Sequence, residues 1–346
     1  MNIFKLTQPY QLDLFNCKNK YIIIDCGILY RFTLGLINSK EYIVDDNGSP
    51  VLEIYVILQM YLKFKSLNIT PIFVFDGKTP KIKENTVKKR SEEKNIALIN
   101  LKQSTNIDDF YKWLKRSFRL NFKNIEYAKT ILLHMGVPVI ESLGESDSQC
   151  AVLSNYYPDT ILGVLTDDSD PLLYGATRII KLEHLRDRYV NVYTLQNTLT
   201  RINEICLTDQ INRTNLIEID CMMGNDICEK IDKNIVNNNF KSITQFYVKN
   251  GLSIDNIFEK YSDIINKEGF INAKNTYLNT DVYKYSYDDL HTKSPNIKTV
   301  KKMLSNILTD CDIEYMENIM KGIPFKYFKL NVKNKVSIEK YHNNTD

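Results

Sequence analysis

The sequence predicts an α/β fold in which a mainly parallel central sheet is flanked by helices. Short apolar runs alternate with longer helical segments over the first two thirds of the 346 residues, a pattern typical of parallel strands covered on both faces. Three of these runs end in, or are closely followed by, an acidic residue. Because a buried carboxylate without a partner is costly, these acidic positions also predict a functional site.

The individual elements follow from composition and length. Runs rich in β-branched and aromatic residues predict strands, and the last two of them are expected to be neighbours. The polar run DDNGSP predicts a turn with Gly48 at positive φ, and we expect the polar tail from about residue 330 to be disordered. The predicted strands are 20–25, 71–76, 137–142, 161–166, 178–182 and 189–194, and the predicted helices are 27–38, 51–64, 84–103, 107–135, one from about Ser148 and most of the chain beyond 208.

Cysteine and charge content exclude several classes of protein. The seven cysteines are scattered singly without a CxxC pair, and there are only four histidines, which argues against a disulfide framework and against a zinc or histidine-based metal centre. No apolar run is long enough to span a bilayer, and the polar N-terminus is unlike a signal peptide. We therefore expect an intracellular protein without a membrane partner.

Basic residues are concentrated in two segments although the net charge is only +3. Residues 78–90 carry six Lys or Arg against one Glu. The second segment contains Lys112, Lys115, Arg116 and Arg119, whose i, i+3, i+4, i+7 spacing would form one stripe on a helix. Contact with a phosphate backbone and an ordinary solvated helix face are about equally good interpretations of this stripe.

The acidic positions converge if the predicted sheet is correct. Asp25, Asp76 and Asp168 all stand at the carboxyl ends of predicted strands, where open α/β sheets bind ligands. Asp170 would point to the same side as Asp168 in extended backbone.

A second acidic pair, Glu145 and Asp147, is also two residues apart. Inside a helix its side chains would point roughly 200° apart, so they converge only if a turn leads into the helix. For any single pair, a solvated loop or a helix N-cap is an alternative. A set of carboxylates alone favours a hard cation such as Mg²⁺, and paired ions suit phosphodiester hydrolysis.

These motifs together resemble the flap endonuclease/XPG family of structure-specific 5′ nucleases. The resemblance covers roughly residues 1–235 and continues more weakly to about 325. It is carried by VFDGKTPKIKENTVKKR at 74–90, MGVPVIESLGESDSQCA at 135–151, LTDDSDPLLYGA at 165–176 and MGND at 223–226, while NGSPVLEIYVILQMYLKF at 47–64 occupies the place of the family's wedge turn and following helix.

The resemblance implies a PIN-like nuclease core at residues 1–270, an arch at about 84–130 and a helical C-terminal extension at 271–346 with a polar tail. It implies that two Mg²⁺ ions, replaceable by Mn²⁺, are held directly or through water. It also implies branched or 5′-flapped DNA as the partner of a monomer, with no evident sliding-clamp motif. The implied metal ligands are Asp25, Asp76, Glu145, Asp147, Asp168, Asp170 and Asp226; the implied catalytic cations are Lys83 and Arg90; the implied DNA contacts are Tyr30, Lys112, Lys115, Arg116 and Arg119.

Two segments depart from the family pattern. Asn2 stands where relatives usually have glycine, and no glycine occurs between residues 225 and 240, where relatives have a Gly-Ile-Gly hairpin that grips duplex DNA. Without glycine, backbone amides approach phosphates less closely. We therefore expect a modified helix-hairpin-helix region at about 215–260, with charge supplied by Lys230, Lys233 and Lys241.

The leading hypothesis is a metal-dependent flap endonuclease acting in DNA replication, repair or recombination, in the nucleus or at a cytoplasmic site of replication. A 5′→3′ exonuclease and a junction or bubble endonuclease are alternatives within the family. A nucleic-acid-binding scaffold without catalysis is a second class, although every acidic position is retained. A PIN-type ribonuclease is a third, although such proteins are usually shorter and lack the basic pair Lys83 and Arg90.

Overall fold

Nine strands form two sheets in the computed structural model, which describes residues 3–38, 40–78, 80, 83–225, 227–228, 233–262, 265–286 and 288–343. The strands are β1 (Tyr10–Asp13), β2 (Tyr21–Asp25), β3 (Glu41–Val44), β4 (Thr70–Phe75), β5 (Val139–Glu141), β6 (Ile161–Leu165), β7 (Arg178–Lys181), β8 (Tyr189–Thr194) and β9 (Asn334–Ser337). Seven of them make the main sheet in the order β1-β8-β7-β6-β2-β4-β5.

The main sheet is mostly parallel, as predicted. Strands β5, β4, β2, β6 and β7 run parallel to one another, whereas β8 is antiparallel to both β7 and β1. The two short runs expected to be neighbours are therefore paired. The edge strand β1 was not predicted from the sequence.

Helices cover both faces of this sheet. They are α1 (Ile3–Leu6), α2 (Leu29–Ile37), α3 (Leu52–Lys65), α4 (Glu84–Lys102), α5 (Ile107–Ser117), α6 (Phe122–His134), α7 (Ser146–Tyr156), α8 (Asp170–Leu173), α9 (Leu195–Cys206), α10 (Arg213–Met222), α11 (Lys233–Lys249), α12 (Ile254–Tyr261), α13 (Lys267–Leu278), α14 (Ile297–Leu304), α15 (Asp310–Met320) and α16 (Ile338–Asn343). No helix within the described ranges has the length and apolar character needed to cross a membrane.

Side-chain alternation along the strands builds a core on each face. Ile22 and Ile24 of β2 belong to the larger core, which includes α3 and α6, whereas Ile23 packs with Cys150 and Leu153 of α7 on the other face. Helix α3 is buried on all sides from Leu52 to Phe64, which explains its nearly continuous apolar sequence. A third core joins helices α8 to α13.

The predicted turn at 45–50 is present. Gly48 has a φ of +79°, and the Asp45 carboxylate accepts hydrogen bonds from the backbone N–H groups of Asn47 and Ser49. Left-handed backbone at this position favours glycine because a Cβ would be strained.

One predicted helix is interrupted. The segment 107–135 forms two helices, because the chain turns to an extended conformation at Phe118, with ψ of 136°. The Asn121 side chain then caps α6 by accepting a hydrogen bond from the backbone N–H of Lys123. Asparagine is a strong N-cap, so this residue was the available signal for the break.

The prediction of a disordered tail from about residue 330 is wrong. Strand β9 pairs antiparallel with β3, which was not predicted either, and Ile338 at the start of α16 is fully buried. A ladder and a buried anchor compensate for the polar composition of the tail. The boundary near residue 270 stays a prediction, and Val300 and Leu304 of α14 pack in the larger core.

Candidate active site

The acidic residues gather at the carboxyl ends of three adjacent strands. Strands β6, β2 and β4 are neighbours in the parallel sheet, and they end at Leu165, Asp25 and Phe75. Asp76 follows β4 directly and Asp168 lies three residues beyond β6. The strand order thus confirms that Asp25, Asp76 and Asp168 share one edge.

A serine hydroxyl links two of these carboxylates. Ser146 Oγ lies 2.7 Å from Asp25 Oδ1 and 2.8 Å from Asp76 Oδ1, and the Ser146 backbone N–H also donates to Asp76 Oδ1. Since a hydroxyl has one proton, it can donate to only one of the two carboxylates at a time. The two groups are thereby held together.

Asp25 is the most enclosed of this group. It accepts hydrogen bonds from Thr166 Oγ1 at 2.7 Å and from the backbone N–H of Gly27 at 2.9 Å, and only 5% of the residue is exposed. Burial raises the pKa of Asp25 to about 6, with a further contribution from Asp76, although the hydrogen bonds oppose this rise.

Glu145 and Asp147 lie where a turn leads into a helix, which is the condition under which their side chains can converge. Helix α7 begins at Ser146, so Glu145 stands in extended backbone with φ of −79° and ψ of 147°. Burial raises the pKa of Asp147 well above its usual value, and the charges of Asp25, Asp168, Asp170 and Glu145 raise it further. Asp147 Oδ1 is buried without a hydrogen-bond partner.

Asp168 and Asp170 lie close together, but not through extended backbone. Ser169 between them is helical, with φ of −93° and ψ of −12°, so that part of the prediction is wrong. Asp168 Oδ1 accepts hydrogen bonds from the backbone N–H groups of Ser169 and Asp170 at 2.6 and 3.2 Å. Asp170 begins α8 and accepts a hydrogen bond from Tyr277 Oη at 2.9 Å. Burial and Asp168 raise the pKa of Asp170.

Lys83 supplies a positive charge within the acidic group. Its Nζ lies 2.6 Å from Glu145 Oε2, and 7% of the residue is exposed. Burial lowers the pKa of Lys83, but Glu145, Asp170 and Asp147 raise it more, so the net shift is upward and the side chain stays charged. Arg90 lies exposed on α4, seven residues further along.

Tyr30 faces α4 and Phe118, the residue that follows α5. Helices α4 and α5 lie in the segment predicted to form the arch and are called the arch helices below. Its ring centroid lies 5.4 Å from that of Phe118, and Lys94 Nζ of α4 lies 4.8 Å from its centre. The ring is half-buried, so Tyr30 is neither a fully buried core tyrosine nor a fully open stacking platform. Its role with DNA stays a prediction.

The predicted basic stripe is not continuous. Lys112, Lys115 and Arg116 lie exposed on α5, but this helix ends at Ser117. Arg119 is therefore outside the helix, and it donates hydrogen bonds to Ser91 O at 3.1 Å and Asn95 Oδ1 at 2.9 Å on α4. A single helical stripe of four residues is thus wrong, and Arg119 joins the two arch helices.

The aromatic residues of this region differ in their surroundings. Trp113 and Phe118 pack against the larger core. The Lys112 ammonium and the Arg116 guanidinium lie 4.7 and 5.2 Å from the Trp113 ring centroid. Phe122 is instead 70% exposed.

Asp226, Lys230 and the Lys233 side chain lie outside the described residues, and Lys241 is exposed on α11. The residues before Asp226 are described. Asn225 Oδ1 accepts hydrogen bonds from the backbone N–H groups of Ile227 and Cys228, and its Nδ2 donates to the buried Asp220 Oδ2 at 3.0 Å. Asp220 also raises the pKa of Asp170.

Sequence reasoning missed four residues that support the acidic group. Ser146 and Thr166 lie inside the motifs that carry the family resemblance and within two residues of predicted acidic ligands, so their positions carried a signal. Asp220 and Tyr277 come from the helical part beyond residue 208, and no local pattern there indicates contact with the sheet edge.

The donor set fits a hard divalent cation. It consists of carboxylate oxygens, and one oxygen of Asp147 is buried and unpaired. Burial, with a further contribution from mutual repulsion, raises the pKa values of Asp25, Asp147 and Asp170. Within the described ranges, no three Asp, Glu, His or Cys side chains form a group that could hold an ion directly. Ser146 and Lys83 contact some of the carboxylate oxygens. Mg²⁺ usually keeps several waters and binds directly to only one or two carboxylates.

Comparison with known proteins decides the family. The XPG N-terminal domain matches residues 3–97 and the XPG I-region matches residues 136–226, which together exceed half of the chain. The chain belongs to the flap endonuclease/XPG family of nucleases. All seven predicted metal ligands fall in these two regions.

Curated relatives share this assignment. The chain is 29% identical over 307 residues to a protein named flap endonuclease 1 of Methanococcus aeolicus, covering 85% of both proteins. It is 25% identical over 308 residues to flap endonuclease 1 of Plasmodium knowlesi, covering 85% of this chain and 51% of that protein. The chain thus spans about half the length of the first Plasmodium relatives.

Solved structures share the fold. Flap endonuclease-1 from Methanococcus jannaschii superposes with a TM-score of 0.66 at 22% identity, covering 93% of this chain and 98% of that one. The catalytic core of Rad2 in complex with DNA substrate superposes with a TM-score of 0.60 at 20% identity, covering 92% and 96%. Human GEN1 in complex with Holliday junction DNA superposes with a TM-score of 0.54 at 17% identity, covering 90% of this chain and 74% of that one.

Proposed function

We propose that this protein is a structure-specific 5′ nuclease that hydrolyses phosphodiester bonds in branched DNA with the aid of two Mg²⁺ ions, for which Mn²⁺ can substitute. The observation that carries the proposal is the acidic group at the ends of β6, β2 and β4 and at the start of α7, where the buried Lys83 pairs with Glu145 and Asp147 Oδ1 has no hydrogen-bond partner. The DNA substrate bound to the Rad2 core supports DNA as the substrate class, and the Holliday junction bound to human GEN1 supports branched DNA.

The residues that would hold the ions are Asp25, Asp76, Glu145, Asp147, Asp168 and Asp170, with Asp226 as a further candidate. Bound ions would supply a low-pKa water and stabilise the leaving oxygen. Lys83 offers a permanent cation that can contact the scissile phosphate, and Glu145 orients it. Ser146 and Thr166 keep Asp25 and Asp76 in place.

The arch helices would select the substrate. Lys112, Lys115 and Arg116 are exposed on α5 and can neutralise the phosphates of a single strand. Arg90 is exposed on α4, on the segment that follows Lys83. We expect binding to a 5′ flap to weaken with rising salt because these contacts release counterions.

A cleavage-site map on a labelled double-flap DNA tests the proposal. We expect Mg²⁺-dependent cutting near the branch that leaves a 5′ phosphate, and no cutting by Asp168→Asn, whose amide oxygen can still accept the two backbone hydrogen bonds. DNA binding by this variant should be close to wild type. Mg²⁺-independent cutting, or near wild-type activity of Asp168→Asn, would contradict the proposal.

A substrate panel separates the alternatives within and outside the family. Nicked and gapped duplexes report exonuclease activity, four-way junctions and bubbles report the related endonucleases, and matched RNA flaps report a PIN-type ribonuclease. We expect the DNA flap to be cut fastest. Binding without cleavage of any member of the panel would instead indicate a scaffold.

A further inference from the structure

The C-terminal segment, residues 333–342, is fixed to the body of the protein at one side. Its strand β9 is paired with β3 in the register Tyr42↔Val336 and Ile43↔Lys335. Ile338 follows at once, is fully buried, and donates its backbone N–H to Lys40 O. A backbone ladder and a buried aliphatic side chain therefore hold this segment in one place.

The other side of the C-terminal segment contacts the first half of α5. Tyr111 Oη donates a hydrogen bond to Glu339 Oε1 at 3.0 Å. The His342 ring meets Phe110 edge-on with centroids 5.7 Å apart, and its Nε2 lies 3.1 Å from Tyr42 Oη. Helix α16 thus bridges α5 of the arch and β3 of the body.

The same segment also contacts the turn that follows β3. Lys333 Nζ lies 3.4 Å from Asp46 Oδ2, and Asn334 Nδ2 lies 3.1 Å from Asp46 Oδ1. These groups are exposed, so each contact alone is weak. Their position still places one continuous segment against both the turn and the arch, which are far apart in sequence.

The arch helices are otherwise sparsely covered. Ile96 and Ile99 of α4 are 59% and 56% exposed, and Ile107 at the start of α5 is 46% exposed. The second half of α5 is anchored by the buried Leu114. Its first half is held by Phe110 and Tyr111, the two residues that meet the C-terminal segment.

We propose that the C-terminal segment positions α5 and thereby determines the preference for substrates with a single-stranded 5′ end, with Glu339 and His342 as the positioning residues. An arch that is already held in place loses less conformational entropy when it closes on a strand. The positioning claim stands on the contacts alone, whereas its consequence for substrate choice rests on the proposed function.

Hydrogen exchange of the free, full-length protein tests the positioning claim. The double variant Glu339→Ala/His342→Ala removes the contacts from the tail side without altering the arch. We expect the amides of α5 to exchange about fivefold to tenfold faster, as the loss of one or two net hydrogen bonds implies. Lys340→Ala, an exposed neighbour on the same helix, is the matched control and should leave exchange unchanged. Equal exchange in the double variant and the wild type overturns the proposal.

A double-mutant cycle isolates the direct contact. Tyr111→Phe removes only the hydroxyl that donates to Glu339, and it should reproduce most of the faster exchange of Glu339→Ala. Combining the two should add little, because both remove the same hydrogen bond. Fully additive effects would show that Tyr111 and Glu339 act independently, against the proposal.

Cleavage rates test the consequence for substrate choice. The ratio of flap cleavage to nicked-duplex cleavage should fall about threefold or more in Glu339→Ala/His342→Ala and stay constant in Lys340→Ala. An equal loss on both substrates overturns the role in specificity. If the wild type cuts neither substrate, the proposed function fails, and the exchange experiment still decides whether the segment positions α5.

Discussion

The acidic edge of the sheet and the arch differ in how firmly the molecule holds their side chains. Asp25 is 5% exposed and accepts hydrogen bonds from Gly27, Ser146 and Thr166. On α4 of the arch, Ile96 is 59% exposed. Groups placed on strand ends are positioned by the whole core, whereas helices with few buried contacts move at lower cost. We therefore expect the proposed chemistry to depend on the rigid region and the proposed substrate selection to depend on the adaptable one.

The largest effect should come from removing the positive charge inside the acidic edge. Lys83→Met leaves Glu145 without its partner and takes away a cation that would contact the phosphate. We expect cleavage of a DNA flap to fall by about a hundredfold to a thousandfold, as for other preorganised transition-state contacts. Single-turnover rates at saturating Mg²⁺ measure this loss.

Lys88→Met is the matched control, because Lys88 is an exposed lysine on α4, the helix that begins directly after Lys83. It should retain activity within about threefold of wild type, as expected for one rim charge. If Lys83→Met and Lys88→Met lose the same amount of cleavage activity, the buried lysine has no catalytic role beyond that of an exposed one.

The second prediction concerns the stability of the protein without metal. Burial raises the folded-state pKa of Asp25 from 3.8 to about 6. Between these values the folded protein binds more protons than the unfolded chain, so stability falls as pH rises through this window. A shift of about two pKa units corresponds to about a hundredfold in the folding equilibrium.

Melting curves in EDTA test this prediction. Asp25→Asn should match wild type near pH 4 and become more stable by a few degrees near pH 7, because the neutral amide avoids a buried charge. Added Mg²⁺ should reduce the difference by stabilising the wild type. A constant difference at all pH values would show that Asp25 does not titrate in this window.

The third prediction concerns the tyrosine that supports the acidic edge from the helical part. Tyr277→Phe removes the hydroxyl that donates to Asp170 and leaves the buried ring in place. We expect the Mg²⁺ concentration at half-maximal activity to rise by about tenfold, the size usual for partners of metal ligands.

The maximal rate of Tyr277→Phe at high Mg²⁺ should stay near wild type. Tyr189→Phe serves for comparison, since Tyr189 is 54% exposed on β8. A lower maximal rate with an unchanged Mg²⁺ midpoint would argue that Tyr277 does not act on a metal ligand.

The smallest effect should come from one exposed charge of the arch. Lys115→Gln should weaken binding to flap DNA by about twofold to fivefold at moderate salt and reduce the slope of log affinity against log salt by about one. Fluorescence anisotropy at several salt concentrations measures both. The rate of cleavage at saturating DNA should be unchanged, because Lys115 lies on the adaptable region.

Arg119→Gln sharpens the same comparison. Arg119 donates hydrogen bonds to Ser91 and Asn95, so its loss should loosen the pairing of α4 and α5. We expect faster amide exchange in both helices, which Lys115→Gln should not show. Identical behaviour of the two variants would mean that Arg119 acts only as a surface charge.

The sequence predicted the central strands because their signals are local. A β-branched run such as residues 21–25 and the acidic residue that ends it can be recognised without knowing the neighbours. The meeting of Asp25, Asp76 and Asp168 followed from one general rule about parallel sheets. The roles of these residues, and of Tyr30 and Arg90, stay predictions until activity is measured.

Other features depended on contacts that the local sequence does not reveal. The break at Phe118 replaced the expected helix and turned Arg119 toward α4. The bridging position of Ser146 required β2, β4 and α7 to meet. Helix N-caps gave a partial signal. Asn121, a residue type that favours helix N-caps, stood inside the predicted helix 107–135 and marked the start of a second helix.

The sequence by itself determined the strands, the acidic residues at their ends and the basic segments, because periodicity and residue type act over a few neighbouring positions. Only the tertiary structure decided that Tyr277 reaches Asp170 and that the polar tail becomes β9 and α16 against the arch. Those contacts join segments far apart in the chain, and their stability comes from burial and pairing that exist only after folding.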